Sequence, residues 1–412
     1  MKVSTMRRMD AWIGVPLCLL ATALRGIFGK LFRRSAEAGS PKRVLIIKLS
    51  ELGALVTLGP ALSSLAGLVG RQNLYFLTFG ESRGLLEILD YVPQENIALL
   101  PTGSLGHFLR EMPRQLIRLR RKRIDCSLDL DFFSRATALI AWLIGCRRRV
   151  GCHAYYGEGP YRGNLLTHKV KFNPHIHVSQ MFSVLAQAVR SEPGSFPRIE
   201  FVPEPAEKVE CWFQPTEDEV ARVADLLRDA GVDSRADVIL LNSNISDREA
   251  IPLRKWSDER YVELAHMILA SLPECFILLT GGQAEAAAIA KLAQRIGHER
   301  CRSFAGKTTL RELLTLYGMS AVIVTNDSGP AHFATLTGIR VVVLFGPETP
   351  HLWRPLGSRV HVVYRGLACS PCFTVYNGRQ SKCRRNACMD IDPAEVFRVV
   401  RQQLAAGRPD YS

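Results

Sequence analysis

No uncharged run in the sequence reaches the roughly 18 residues a spanning helix needs, which excludes a polytopic membrane protein. The longest apolar stretch, Ala11 to Leu24, contains Gly14 and Pro16. Eleven cysteines in 412 residues are too few for a disulfide scaffold. G-x-G-x-x-G is missing, and so is a P-loop, so neither usual nucleotide fingerprint applies. Aromatic residues are only 8%, and no zinc-finger spacing or aromatic-rich RNA signature accompanies the basic residues, so nucleic acid is not an expected partner. Acidic residues are in deficit, 39 against 53 Lys and Arg, for a net charge of +14. What remains is globular: 47% hydrophobic and 22% charged excludes a wholly disordered chain, and the length suits two or three domains.

Half of that net charge lies in residues 1–43, where nine Lys or Arg face only Asp10 and Glu37. Basic residues flank the apolar run, a pattern that suits an in-plane anchor meeting an anionic membrane surface. A signal peptide has a similar layout, with basic and apolar regions in the same order. A second cluster, Arg110 to Arg123, carries seven Lys or Arg with only Glu111 opposing them. Pro113 suits a first helical position there, and the helix would offer either a solvated face or one for acidic lipid or phosphate.

From Lys42 the chain alternates short apolar runs with helical patterns, which argues for parallel sheets covered by helices. Val44–Leu49, Leu74–Thr78, Ile97–Leu100 and Cys126–Leu130 read as strands, and Ala54–Leu68 as a helix. Periodicity fades between Gly151 and Pro215, where proline and glycine recur. A second series has strands at Val238–Leu241, Phe276–Thr280, Ala321–Thr325 and Val341–Phe345. Ser257 and the Thr309/Glu312 pair read as helix caps. The expected division is a basic and apolar segment 1–41, a Rossmann-like domain 42–205, an interdomain region 206–236 and a second Rossmann-like domain 237–412. Two such halves place a ligand at the carboxyl ends of their strands.

Candidate chemistry gathers at strand ends. Asn326-Asp327-Ser328-Gly329-Pro330-Ala331-His332 follows a strand and opens a helix, so free amides at Ser328 and Gly329 suit a diphosphate. Asp327 can orient that loop, with His332 one turn inside the helix. Gly281 and Gly282 allow close ligand approach, and Glu285 can accept hydroxyl hydrogens from a ribose. Glu51, in the turn after the first strand, is either a general base or a helix-start acid meeting the dipole. Cys369, Cys372, Cys383 and Cys388 are spaced so that four thiolates could hold a structural zinc, or pack without metal. The H-x-H of His175 and His177 reads as structural.

Taken together, "VLIIKLSELGALVTLGPAL", "RKWSDERYVELA", "LLTGGQAE", "FAGKTTLREL", "TNDSGPAHFATLTG", "VVVLFGPETP" and "CSPCFTVYNGRQSKC" followed by "CMDIDP" resemble the heptosyltransferases of glycosyltransferase family 9. The resemblance runs from about residue 42 to 400. It implies an α/β GT-B fold, two Rossmann-like domains facing across a cleft, and inverting, metal-independent sugar transfer needing no cofactor. The implied partners are an ADP-heptose-like nucleotide-diphosphate sugar and a lipopolysaccharide-core or other lipid-linked glycan acceptor. The implied place is the inner face of the cytoplasmic membrane, peripherally bound. By motif, Asp327, Ser328, Gly329 and His332 fall on the diphosphate segment, and Gly281, Gly282 and Glu285 on the nucleoside segment. Ser243 and Asn244 lie near phosphate, and Arg254 or Lys255 falls on a basic residue that offsets leaving-group charge. At Ala54 this chain departs from the family, whose aspartate there acts as base, and Glu51 is the nearest substitute. A silent nucleotide-sugar-binding protein and a nucleotide-sugar epimerase are the alternative readings.

Overall fold

The computed structural model describes residues 9–31, 39–192, 199–205, 213–233, 236–245 and 252–407. The chain forms two compact units, one of residues 1–206 with 374–380, the other of residues 207–373 with 381–412.

The first unit opens with helix α1 (Gly14–Leu31), followed by β1 (Val44–Ile47), α2 (Leu52–Val56), α3 (Gly59–Val69), β2 (Leu74–Phe79), α4 (Arg83–Leu89) and β3 (Ile97–Leu100). Next come α5 (Leu105–Arg121), β4 (Cys126–Asp129), α6 (Arg135–Ile144), β5 (Arg148–Cys152), β6 (His168–Val170) and α7 (Val178–Ala188). Its six strands are all parallel, in the order β3-β2-β1-β4-β5-β6. Val44 to Ile47 are buried on both sheet faces, which explains why this strand reads as an unbroken apolar run. Leu45, Ile47 and Leu77 pack against Leu119 of α5 and Ile140 and Ile144 of α6.

The second unit contains α8 (Glu217–Asp229), β7 (Asp237–Asn242), α9 (Asp258–Ser271), β8 (Cys275–Leu279), α10 (Ala286–Ile296), β9 (Cys301–Ser303), α11 (Leu310–Gly318) and β10 (Val322–Asn326). It continues through α12 (Gly329–Ala334), β11 (Arg340–Phe345), α13 (Pro350–Trp353), β12 (Val360–Tyr364) and α14 (Pro393–Ala405). Its sheet is also parallel, in the order β12-β11-β10-β7-β8-β9. In each sheet the strand order therefore reverses between the first and fourth strands, at β1/β4 and at β7/β10. In a doubly wound sheet the loops leaving those two strands diverge and leave a crevice, the usual ligand position.

Several sequence expectations shift. The helix expected over Ala54–Leu68 is two helices, because Pro60 has no amide to continue the first and sits instead at the start of α3. Pro113 is not a helix start: α5 begins eight residues earlier, where the Ser104 hydroxyl accepts from the His107 amide, and Pro113 lies inside it. The weakly periodic stretch after Gly151 holds β6 and α7, whose N-cap is His177 in a capping box, an unusual capping residue that the sequence did not signal. The expected interdomain stretch 206–236 contains α8, which packs on α11 in the second unit, with Arg311 paired to Glu219. Thr309 with Glu312 and Ser257 do cap their helices.

One half-buried group makes the first unit sensitive to acid. Burial, with the charges of Lys169 and Arg162, holds the His153 imidazole down at about 4, against an ordinary 6.5. As pH falls below about 6.5 the unfolded chain takes up this proton first. The stability contributed by neutral His153 is thus intact above pH 6.5 and lost between 6.5 and about 4. His153→Gln should flatten that acid limb by about 1–2 kcal/mol, discounted for partial exposure, in urea melts at neutral and acid pH. An unchanged slope would contradict the assignment.

Candidate functional site

In the second unit the loops leaving β7, β8 and β10 are tied together by side-chain amides. Asn326, the buried last residue of β10, donates from Nδ2 to the Ser243 carbonyl (3.1 Å) and to that of Asn244 (3.5 Å). Its Oδ1 accepts from the Trp256 amide at 2.9 Å. Asn244 in turn donates to the Thr280 carbonyl at 3.2 Å. At Gly281 a Cβ would lie 2.6 Å from Asn244 Nδ2, so a side chain there would push Asn244 off the Thr280 carbonyl. At Gly282 a Cβ would lie 2.8 Å from the carboxylate of Glu285, whose amide donates to the Gly282 carbonyl.

The β10 loop carries the charge. The Asp327 amide donates to the Leu344 carbonyl at 3.0 Å, fixing it beside β11. Its carboxylate meets Arg254 Nη1 at 3.3 Å. The Ser328 hydroxyl donates to the Asn326 carbonyl at 3.2 Å, Gly329 opens α12, and His332 is buried inside it. Of the two cations that the sequence left open, Arg254 joins this loop. Lys255 pairs instead with Asp258 at the start of α9, at 2.7 Å. Sequence reasoning missed Asn326 as the residue that ties the loops together; its place as the first residue of the N-D-S-G-P segment was the available signal.

In the first unit the loops after β1 and β4 meet at a cluster of charges. Lys48 is fully buried, and its Nζ lies 2.8 Å from Asp131 Oδ1 and 3.0 Å from Glu51 Oε2. Burial pulls the Lys48 ammonium down, but the Asp131 and Glu51 charges outweigh it and the net shift is upward. Asp131 also accepts from the Leu49 amide (2.6 Å) and the Ser50 hydroxyl (3.0 Å). Glu51 has a left-handed backbone (φ 66), and its other oxygen pairs with Arg379. Arg379 comes from residues 374–380, which belong to this unit and are held there by Tyr376 against Phe133 and Phe172. Ala54 is buried at 4% exposure, whereas the Glu51 side chain keeps 23%. Behind the cluster, the Asp131 amide donates to Asp129, which is buried in an ion pair with Arg162. Lys48, Asp131 and Arg379 all escaped the sequence reading.

The zinc expectation does not find its geometry. Cys369 and Cys383 are exposed, Cys372 is half-buried and Cys388 is buried, all as free thiols. Burial pushes the Cys388 thiol up to about 11. The Cys383 sulfur accepts from the Asn386 amide, and the Cys388 thiol faces the Asn386 side chain. Among the described residues no three His, Cys, Asp or Glu side chains converge to hold a metal.

The profile of glycosyltransferase family 9 (heptosyltransferase) matches residues 116–381. The lipopolysaccharide heptosyltransferase 2 of Escherichia coli K12 is 30% identical over 156 residues, 37% of this chain and 43% of that protein. The lipooligosaccharide heptosyltransferase 2 of Haemophilus influenzae is 26% identical over 157 residues, 37% of this chain and 44% of that one. The chain thus spans less than half the length of the curated relatives it matches. The solved structure of E. coli ADP-heptose lps heptosyltransferase II superposes with a TM-score of 0.63 at 21% identity, covering 88% of this chain and 99% of that one. That likeness agrees with two Rossmann-like parallel-sheet domains, the GT-B fold. With well over half of its length inside the family profile, the chain belongs to glycosyltransferase family 9, the heptosyltransferases.

Proposed function

We propose that this protein transfers a heptose or a related sugar, with inversion and without a metal, from an ADP-heptose-like donor to a lipopolysaccharide-core or other lipid-linked acceptor. It would do so on the cytoplasmic face of a membrane, against an anionic surface. The observation that carries this reading is the Arg254–Asp327 pair (3.3 Å), set at the β7/β10 switch point beside Ser243 and Asn244. A guanidinium held there is placed to offset the charge that develops as the diphosphate departs, while the Ser328 and Gly329 amides take its oxygens. Glu285, with the bare backbone of Gly281 and Gly282, takes the nucleoside. The acceptor oxygen forms the new bond to the anomeric carbon as the bond to the diphosphate oxygen breaks, and the hydroxyl proton passes to Glu51.

The test separates the two cations. Arg254→Ala should weaken ADP binding by about 1.5–3 kcal/mol in calorimetry, the range for a charge-assisted bond, while Lys255→Ala should change it by less than about 0.5 kcal/mol. Equal effects would remove the assignment. Glu285→Ala should weaken adenosine more than pyrophosphate. A second reading, a nucleotide-sugar-binding protein without turnover, draws support from buried Ala54 and from the two cations on Glu51. ADP-sugar binding with neither transfer nor hydrolysis would favour it.

A further inference from the structure

The amino-terminal helix is built inside out. Between Met9 and Ile27 the only charged residues are Asp10 and Arg25, and both are turned onto the first unit. Asp10 accepts from the Ala136 amide at 2.8 Å and pairs with Arg135, at the start of α6. The Asn164 amide donates to the Thr22 hydroxyl at 2.8 Å, and Arg25 donates to the Leu166 carbonyl at 3.3 Å. Between these polar ties the inward stripe is small: Gly14 against Arg135, and Cys18 and Ala21 against Ala138 and Leu165. Gly163 lets the backbones close up, since a Cβ there would lie 2.8 Å from the Cys18 carbonyl.

A surface helix of a soluble protein buries its large apolar side chains and exposes polar ones. Here Trp12 (82% exposed), Ile13, Leu17, Leu19, Leu20 and Ile27 point outward, with no charge among residues 11–24. The stretch is long and apolar enough to cross a membrane. Its polar contacts, however, run from Asp10 to Arg25 along one side of a folded unit, which a helix standing across a bilayer would have to give up.

What lies beside it is also unusual. Helix α6 packs between α1 and α5, and exposes Leu143. On α5, Leu105, Leu109 and Ile117 are exposed, and Arg114, Ile117, Arg118, Arg121 and Lys122 line a shallow groove. The row α1–α6–α5 thus runs from a bare apolar strip to a basic one with interspersed aliphatics. That pairing matches the acyl boundary and the anionic headgroups of one leaflet.

We infer that this row is the membrane-seating face of the protein: α1 lies in the plane of an anionic bilayer while still docked on α6, and α5 receives lipid phosphates. This deepens the membrane-surface part of the proposed function and rests on it only for biological purpose. The occupant is the leaflet, since neither a second copy of this +14 chain nor solvent complements the basic strip.

The full chain should float with vesicles of phosphatidylethanolamine and phosphatidylglycerol, and bind neutral phosphatidylcholine vesicles more weakly. Leu19→Glu/Leu20→Glu/Ile27→Glu should cut flotation at least about tenfold, because the apolar strip supplies the insertion. These side chains face away from the fold, so ADP affinity and transfer to a detergent-dispersed acceptor should stay at the parent level. Arg118→Gln/Arg121→Gln should lose about fivefold per charge on anionic vesicles and little on neutral ones. Mass spectrometry of the membrane-bound protein should find the α1 sequence intact, and Trp12→Cys should be shielded by lipid from thiol labelling on the same side as α5. Four results would overturn the inference: no flotation of the parent chain, cleavage after α1, a span shown by labelling from the opposite side, or a Glu triple variant that loses self-association but not flotation. Failure of flotation with intact transfer would sink the seating face alone; flotation without ADP binding would sink the transferase reading alone.

Discussion

Glu51→Gln is expected to lower kcat by about 10²–10⁴ while leaving donor affinity unchanged, the loss typical of a missing general base. Glutamine keeps the size of the side chain and one accepting oxygen but takes no proton at neutral pH. The geometry gives this test its force. Both Glu51 oxygens are engaged, one by Lys48 at 3.0 Å and the other by Arg379, so the variant asks directly whether a carboxylate held between two cations takes the acceptor proton. The residues assigned to the nucleotide all lie in the second unit, so donor binding serves as an internal control. Adding Ala54→Asp to Glu51→Gln should recover part of the rate, at a cost of about 1–3 kcal/mol in stability, because position 54 is only 4% exposed. Near-parent turnover in Glu51→Gln would end the base assignment and strengthen the non-catalytic reading.

What the sequence showed of this site was what one strand and its following loop can show. Strands such as Val44–Ile47 and Ile97–Leu100 were legible because parallel strands buried on both faces need unbroken apolar runs. The N-D-S-G-P segment and the paired glycines were legible because a strand-to-helix junction demands those residue types locally. Asp131 and Arg379 were not. Asp131 matters only because β4 lies beside β1, and Arg379 only because residues 374–380 join the first unit, more than 300 positions from Glu51 in sequence. Nothing local marks either one. Lys48 fell inside the strand expected over Val44–Leu49, and its total burial is matched by Glu51 of its own turn and by Asp131 from the β4 loop. The inside-out character of α1 was half legible: the apolar run was plain, but which side of it faced protein depended on Gly163, Asn164 and α6.

Lys48→Met should destabilise the first unit by about 3–5 kcal/mol, the range for removing one partner of a buried ion pair. Its ammonium is wholly enclosed and touches Asp131 and Glu51, so methionine fills the space and leaves Asp131, 5% exposed, without its buried cation. The sign of the pH dependence follows from the upward shift of Lys48 above its ordinary 10.5. Its stabilising contribution is complete at every pH below about 10.5 and fades only as pH rises beyond that. The deficit of the variant at pH 7 is therefore the full one. Asp131→Asn in the same chain supplies the decisive comparison. Asparagine still accepts from the Leu49 amide but carries no charge, so Lys48→Met/Asp131→Asn should be no less stable than Lys48→Met alone, a strong departure from additivity. Urea melts of the parent, the two single variants and the double variant at pH 7 measure this directly. A loss below about 1 kcal/mol in Lys48→Met, or simple additivity with Asp131→Asn, would mean that the Lys48 pairs are not what holds the β1 and β4 loops together.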